Sequence, residues 1–308
     1  QHANLLLWLK KTANAYLPAS PQQTGVVIMP HGATQPYNDV VEQVIAPLQS
    51  AYRIEMAYGM GDPFVIQRAV SRLEAKGVRR IVFVRLYSLS DQMKGLTDYI
   101  LGLSDSLSDS HSHDEASSPP HQVRSSALFS TFGGYEENPA IAEILHERIV
   151  EASQKPSEET IILVAHGSGD DGADARWLAG MNRQIERLRE DPHCKKLRRL
   201  LAVTVREDWP DKRKEAVGRL AEMIQEGKQG GRVLLISNRL YGGGPYEKFL
   251  EDAGLKKGAD YEMNAQGFAP HPVITRWLAA GIEKALQAFD QGSADRLSAE
   301  ALKHISAK

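Results

Sequence analysis

Two stretches decide how this chain is read. "VVIMPHGATQPYND" (26–39) is an apolar, β-branched run that stops at His31-Gly32, and "IILVAHGSGDDGAD" (161–174) is a second run that stops at His166-Gly167. Each is short and apolar throughout, the pattern of a strand buried on both faces of a parallel sheet. Ligands of such sheets bind beyond the carboxyl ends of the strands. Each histidine is therefore expected at the edge where chemistry is done, and the glycine after it lets the chain turn and brings backbone amides close.

Outward from these runs, strand and helix alternate. In the first half "GVVIMP", "RIEMAYG", "RRIVFVRLYS" and "ALFSTFGG" read as strands. "NDVVEQVIAPLQSAY" reads as a helix with Asn38 or Asp39 near its N-cap, and "PFVIQRAVSRLEAKGV" as a helix opened by Pro63 and closed by Gly77. "NPAIAEILHERIVEASQ" reads as a long helix. The second half repeats this order from "TIILVAHG" to "HPVITRWLAAGIEKALQAF". Beyond the two His-Gly pairs, "DPFVIQRAVSRL" (62–73) matches "WPDKRKEAVGRL" (209–220), Arg85-Leu86-Tyr87 matches Arg239-Leu240-Tyr241, and Asn138-Pro139 matches His271-Pro272. Landmarks in one order mean a duplicated unit. The expected fold is α/β, two duplicated domains with parallel sheets and a ligand cleft between them. Residues 1–23 form an N-terminal helix and linker, 24–154 and 158–290 the two domains, and 291–308 a C-terminal tail. A flexible insertion at about 104–122, "SDSLSDSHSHDEASSPPHQ", has too few apolar residues to build a core.

A length of 308 residues suits two domains. The net charge of -2 excludes a general nucleic-acid binder, which carries a basic excess. No apolar run approaches the roughly 20 residues that span a bilayer. The single cysteine, Cys194 in "EDPHCKKLRR", cannot form an intrachain disulfide and reads as an ordinary thiol for want of a cysteine partner. The cytoplasm is the default compartment; Gln1 as a processed start leaves export open.

Several residues are candidates for chemistry. Neutral imidazole is a borderline-soft ligand for Co, Ni, Fe or Zn and a proton acceptor near neutral pH, which suits His31 and His166; satisfied structural histidines are the plainer alternative. Arg85 and Arg239 are either guanidinium forks for substrate carboxylates or solvated strand-end arginines. Tyr87 and Tyr241 either flank a flat ligand or pack. Gly242 and Gly243 in "NRLYGGGPYEK" either cradle an anion or form a mobile lid. His111, His113 and His121 in "HSHDEASSPPH" make a weak transition-metal tract. Asp62 follows the second strand as a weak metal ligand, while Asp39, Asp170, Asp171 and Asp174 mostly read as helix caps.

Over about residues 24–285 the chain resembles the class II chelatases, nearest the sirohydrochlorin cobaltochelatase (CbiX-like) type. The resemblance rests on "AHGS" (165–168), the "DP" turn (62–63), "GVRRIVFV" (77–84) and the "NP" or "HP" before a long helix. It implies two duplicated flavodoxin-like α/β units facing each other across a tetrapyrrole cleft, a monomer with pseudo-dimeric halves. It also implies insertion of a divalent metal (Co, Ni, Fe or Zn) into a sirohydrochlorin-type macrocycle, a lyase step of cobalamin or sirohaem biosynthesis with no organic cofactor. His31 and His166 would bind metal and accept protons, with Asp62 or Glu247 assisting. The family's second histidine, a few residues after the third strand, is missing from both "RLYSLSDQMKGLTDY" and "RLYGGGPYEKFLED". A second expectation follows, a non-catalytic tetrapyrrole- or metal-binding protein that kept the fold. A histidine phosphatase, the third candidate, needs Arg directly before the histidine, where Pro30 and Ala165 stand.

Overall fold

The computed structural model describes residues 2–32, 34–107 and 120–306. It contains two four-stranded parallel sheets of the same order, edge-centre-centre-edge. The first is built from β1 (Thr24–Pro30), β2 (Arg53–Met56), β3 (Arg80–Leu86) and β4 (Leu128–Gly133) in the order β2-β1-β3-β4. The second is built from β5 (Glu159–Ala165), β6 (Arg199–Thr204), β7 (Arg232–Ser237) and β8 (Glu262–Asn264) in the order β6-β5-β7-β8. The duplicated α/β architecture read from the sequence is what the chain forms.

The central strands are buried along their lengths, which explains their unbroken apolar sequence. One face of the first sheet packs Val27, Met29, Ile81 and Phe83 against Ile66, Val70 and Leu73 of α3 (Pro63–Ala75). The second sheet does the same with Ile162, Val164, Val233 and Leu235 against Val217, Leu220 and Ile224 of α7 (Pro210–Lys228). Each such side chain contributes about 1.5–3 kcal/mol by leaving water.

Local signals fixed most helix starts. Asp62 caps α3, its Oδ1 accepting from the Phe64 and Val65 amides at 2.7 and 3.2 Å. The expected cap at Asn38 or Asp39 lies instead inside α2 (Gln35–Ile45), because Pro36 opens that helix after Thr34. Asp170 does cap α6 (Asp171–Leu188), accepting from the Ala173 amide at 2.7 Å. Two short helices, α4 (Lys94–Ile100) and α8 (Tyr246–Asp252), occupy the stretches after the third strand of each unit. Among the described residues no helix is long and apolar enough to cross a membrane.

The chain divides into two compact units, residues 1–135 with 275–308, and residues 136–274. These differ from the linear spans 24–154 and 158–290. α5 (Ile141–Ala152), which follows the first sheet, packs against α6 and β7 of the second unit. α9 (Pro272–Ser306), which follows the second sheet, belongs from Thr275 onward to the first unit. There Thr275 donates to the Val44 carbonyl at 2.8 Å, Trp277 meets the Phe132 ring edge-on, and Asp290 pairs with the buried Arg80. The helix runs unbroken through residue 291, so the last residues are its continuation and no separate tail begins there.

Candidate functional site

His166 leaves the end of β5, and Gly167 after it has φ +83. A Cβ at Gly167 would lie 2.8 Å from both Asp174 Oδ1 and Thr204 Cβ, so the turn requires glycine. His166 Nδ1 is 2.8 Å from the Gly167 carbonyl oxygen. A carbonyl only accepts, so Nδ1 carries the proton and Nε2 is turned to the opposite side. Nε2 stands 3.1 Å from Asp208 Oδ2 and 3.9 Å from Glu207 Oε2. Trp177 lies nearly parallel to the imidazole at 6.2 Å and Trp209 meets it edge-on at 6.1 Å.

The two carboxylates reach His166 because of Arg206. It has φ +55, unusual for a side chain with a Cβ and worth about 1 kcal/mol of strain. Its amide donates to the His166 carbonyl at 2.6 Å. Its guanidinium donates to the Ser168 and Gly169 carbonyls and to Asp171, at 2.6, 2.8 and 2.6 Å, and so clamps the loop after β5. Glu207 is buried, and its Oε1 accepts from Arg239 Nη1 at 2.5 Å. Arg239 also stacks over Tyr246 and donates to its hydroxyl at 3.2 Å. Burial by itself would lower the Arg239 pKa, but Tyr246 and Glu207 outweigh it and raise it above the ordinary value.

His31 repeats the backbone geometry. Its Nδ1 lies 2.9 Å from the Gly32 carbonyl oxygen, which sets the same tautomer, and its side chain is exposed. The Gly59 amide donates to the His31 carbonyl at 3.2 Å, with φ +108, as Arg206 does for His166. Pro63 and Pro210 then open α3 and α7 at the same interval. In this register Met60 and Gly61 stand where Glu207 and Asp208 stand, and Asp62 where Trp209 stands. Tyr58 beside Gly32 donates to Glu42 at 3.1 Å; burial first, then that hydrogen bond, push its phenol up to about 12.

The other sequence candidates fall elsewhere. Arg85 is a correction: its expected ligand-facing fork is a loop clamp, buried, with Nη1 donating to the Ser90 and Gln92 carbonyls at 2.8 and 2.9 Å. Arg239 likewise spends its fork on Glu207. Tyr87 is buried and donates to the Gly59 carbonyl at 3.3 Å; burial, then Tyr37, raise its pKa despite Arg85. Tyr241 is half-buried. Gly242 is packed on the backbone of residues 265–267, while Gly243 turns in open space with φ +80. Asp62 is committed to its cap, and Glu247 pairs with Lys257 at 2.6 Å. His111 and His113 lie outside the described residues, whereas His121 meets the exposed Phe64 ring at 5.8 Å.

Sequence reading missed Glu207, Asp208, Trp177 and Trp209. The signal was present in "REDWP" (206–210), since the matched "WP" and "DP" already set the register with "GMGDP" (59–63).

No family model matches the chain, and no curated protein matches it. Solved structures do. The sirohydrochlorin chelatase SirB of Bacillus subtilis subspecies spizizenii, determined in complex with cobalt, superposes with a TM-score of 0.55 at 11% identity, over 86% of this chain and 96% of that one. A multi-domain Deinococcus radiodurans protein with structural similarity to chelatases superposes with a TM-score of 0.51 at 14% identity, over 84% of this chain and 54% of that one. The fold is that of the chelatases.

Proposed function

We propose that this chain binds a divalent metal ion as substrate at the His166 edge of its second sheet and inserts it into a sirohydrochlorin-type tetrapyrrole. The observation that carries this reading is the His166 Nε2, presented by the Nδ1–carbonyl bond and faced by Asp208 at 3.1 Å and Glu207 at 3.9 Å. One imidazole and two carboxylates suit a borderline cation such as cobalt, nickel or iron. Insertion exchanges one divalent cation for two pyrrole protons. Asp208, exposed at the rim, is placed to take a proton to solvent, and Glu207, fixed by Arg239, supplies steady negative charge to the cation. The fold shared with a chelatase solved with cobalt supports the same reading.

A second reading, binding without insertion, is favoured by Met60 and Gly61 standing at the positions matched to Glu207 and Asp208 and by the absence of histidine from residues 85–99 and 239–252. Incubation with sirohydrochlorin and Co(II), Ni(II) or Fe(II), followed by absorption spectroscopy, separates the two. Metal-dependent turnover supports insertion. A red shift of the bound macrocycle without turnover supports binding alone. No spectral change with any metal sinks both.

A further inference from the structure

We infer that His146, Asp191 and Cys194 form a second metal site, one that takes a single borderline divalent cation such as zinc or cobalt through a thiolate. The three sit within the second unit: His146 on α5, Asp191 and Cys194 on the turn that leads into the amino end of β6, whereas His166 follows the carboxyl end of β5. One donor atom from each lies within 4.8 Å of the other two. A tetrahedral centre with bonds of about 2.0–2.3 Å puts its donors about 3.3–3.8 Å apart, so closure asks for side-chain shifts of an ångström or so.

The pair His146 Nε2–Asp191 Oδ1 is already at 3.2 Å. Asp191 is held in place from behind, its Oδ1 accepting from the His193 and Cys194 amides at 2.7 and 3.1 Å, which leaves Oδ2 for another charge. Cys194 is buried, while the His146 and Asp191 side chains are 37% and 33% exposed. The arrangement has a covered sulfur at the bottom and an open side through which a cation and a completing water enter. Imidazole, carboxylate and thiolate are a donor set for zinc or cobalt and a poor one for magnesium or calcium. On binding, the metal–sulfur bond replaces the S–H bond and the thiol proton passes to solvent. Such a cation would tie α5 to the turn that starts β6.

This site is independent of the chelatase reading, and its test uses a signal that only sulfur gives. Co(II) titrated into the full chain should produce a saturable thiolate-to-cobalt charge-transfer band in the near ultraviolet, displaced by Zn(II). Cys194→Ser should abolish the band, His146→Gln should weaken cobalt binding by about tenfold or more, and His166→Ala should leave the band intact. Circular dichroism confirms that each variant folds; His146→Gln, altered at a part-exposed position, carries the test if Cys194→Ser does not fold. Absence of the band at saturating cobalt, or its persistence with unchanged affinity in His146→Gln, overturns the inference whatever the outcome with tetrapyrrole.

Discussion

Glu207 holds Arg239 through Oε1 at 2.5 Å while its Oε2 lies 3.9 Å from the His166 imidazole. The arginine is thus the counter-charge that lets a buried carboxylate stand beside the histidine. Removing it with Arg239→Met strands Glu207 and costs about 3 kcal/mol, measured by urea unfolding. Arg239→Met with Glu207→Gln should recover most of that loss. A single variant as stable as the parent would show that Glu207 does not need the pair.

The two histidines should behave unequally. His166→Ala and Asp208→Asn should each weaken Co(II) binding at this site by about tenfold or more, since each removes a donor or its neighbour. His31→Ala should change it little, because Met60 and Gly61, which carry no carboxylate, hold the positions matched to Glu207 and Asp208 in the first unit. Calorimetric titration in a Cys194→Ser background isolates the effect. Equal losses in both histidine variants would refute the asymmetry.

Acid sensitivity should centre on Glu159. Burial alone would raise its pKa, but Ser153 Oγ, the Gln154 and Lys155 amides and Arg232 donate to it at 2.5, 2.8, 3.1 and 3.1 Å and hold it below its ordinary value. A carboxyl depressed in the folded state stabilises fully above its unfolded pKa of about 4.3 and loses that contribution as pH falls through the lower folded value. Glu159→Gln should therefore destabilise at about pH 6, with the gap to the parent closing below about pH 4. A gap that stays constant on acidification would refute this.

Adjacent glycines should respond differently. A Cβ at Gly242 would lie 1.7 Å from the Ala265 carbonyl oxygen, whereas at Gly243 nothing lies within 4 Å. Gly242→Ala should unfold or cost several kcal/mol, of order 3 or more, by forcing backbone apart. Gly243→Ala should cost only about 1 kcal/mol, for its positive φ. Thermal melts of the two variants decide the matter, and similar melting points would contradict it.

Deleting residues 106–120 should shift the melting temperature by no more than about 3 °C, because Ser, His, Asp and Pro offer little apolar surface to bury. A shift several times larger would mean the segment packs.

Much of this protein was legible without coordinates. Apolar runs such as 26–29 and 161–165, helical periodicity and the matched "DP" and "WP" turns are local signals, so the sequence by itself determined the duplicated strand-helix order and put both His-Gly pairs at strand ends. Partners distant in sequence were beyond it. Arg85 and Arg239 look alike in sequence, each opening an Arg-Leu-Tyr triplet, yet strand pairing sets Arg85 beside Met29 and Ser237 beside Val164, so Arg239 falls two residues further on. Arg85 clamps carbonyls of its own loop, and Arg239 holds a carboxylate from the neighbouring crossover. α5 and α9 look like the closing helices of their own sheets, yet each packs in the other unit. Cys194 has no cysteine to pair with, but the fold brings His146 and Asp191 to it. Only the tertiary structure decided these, because which buried charge meets which, and which apolar face a helix covers, depends on long-range packing that no window of sequence contains.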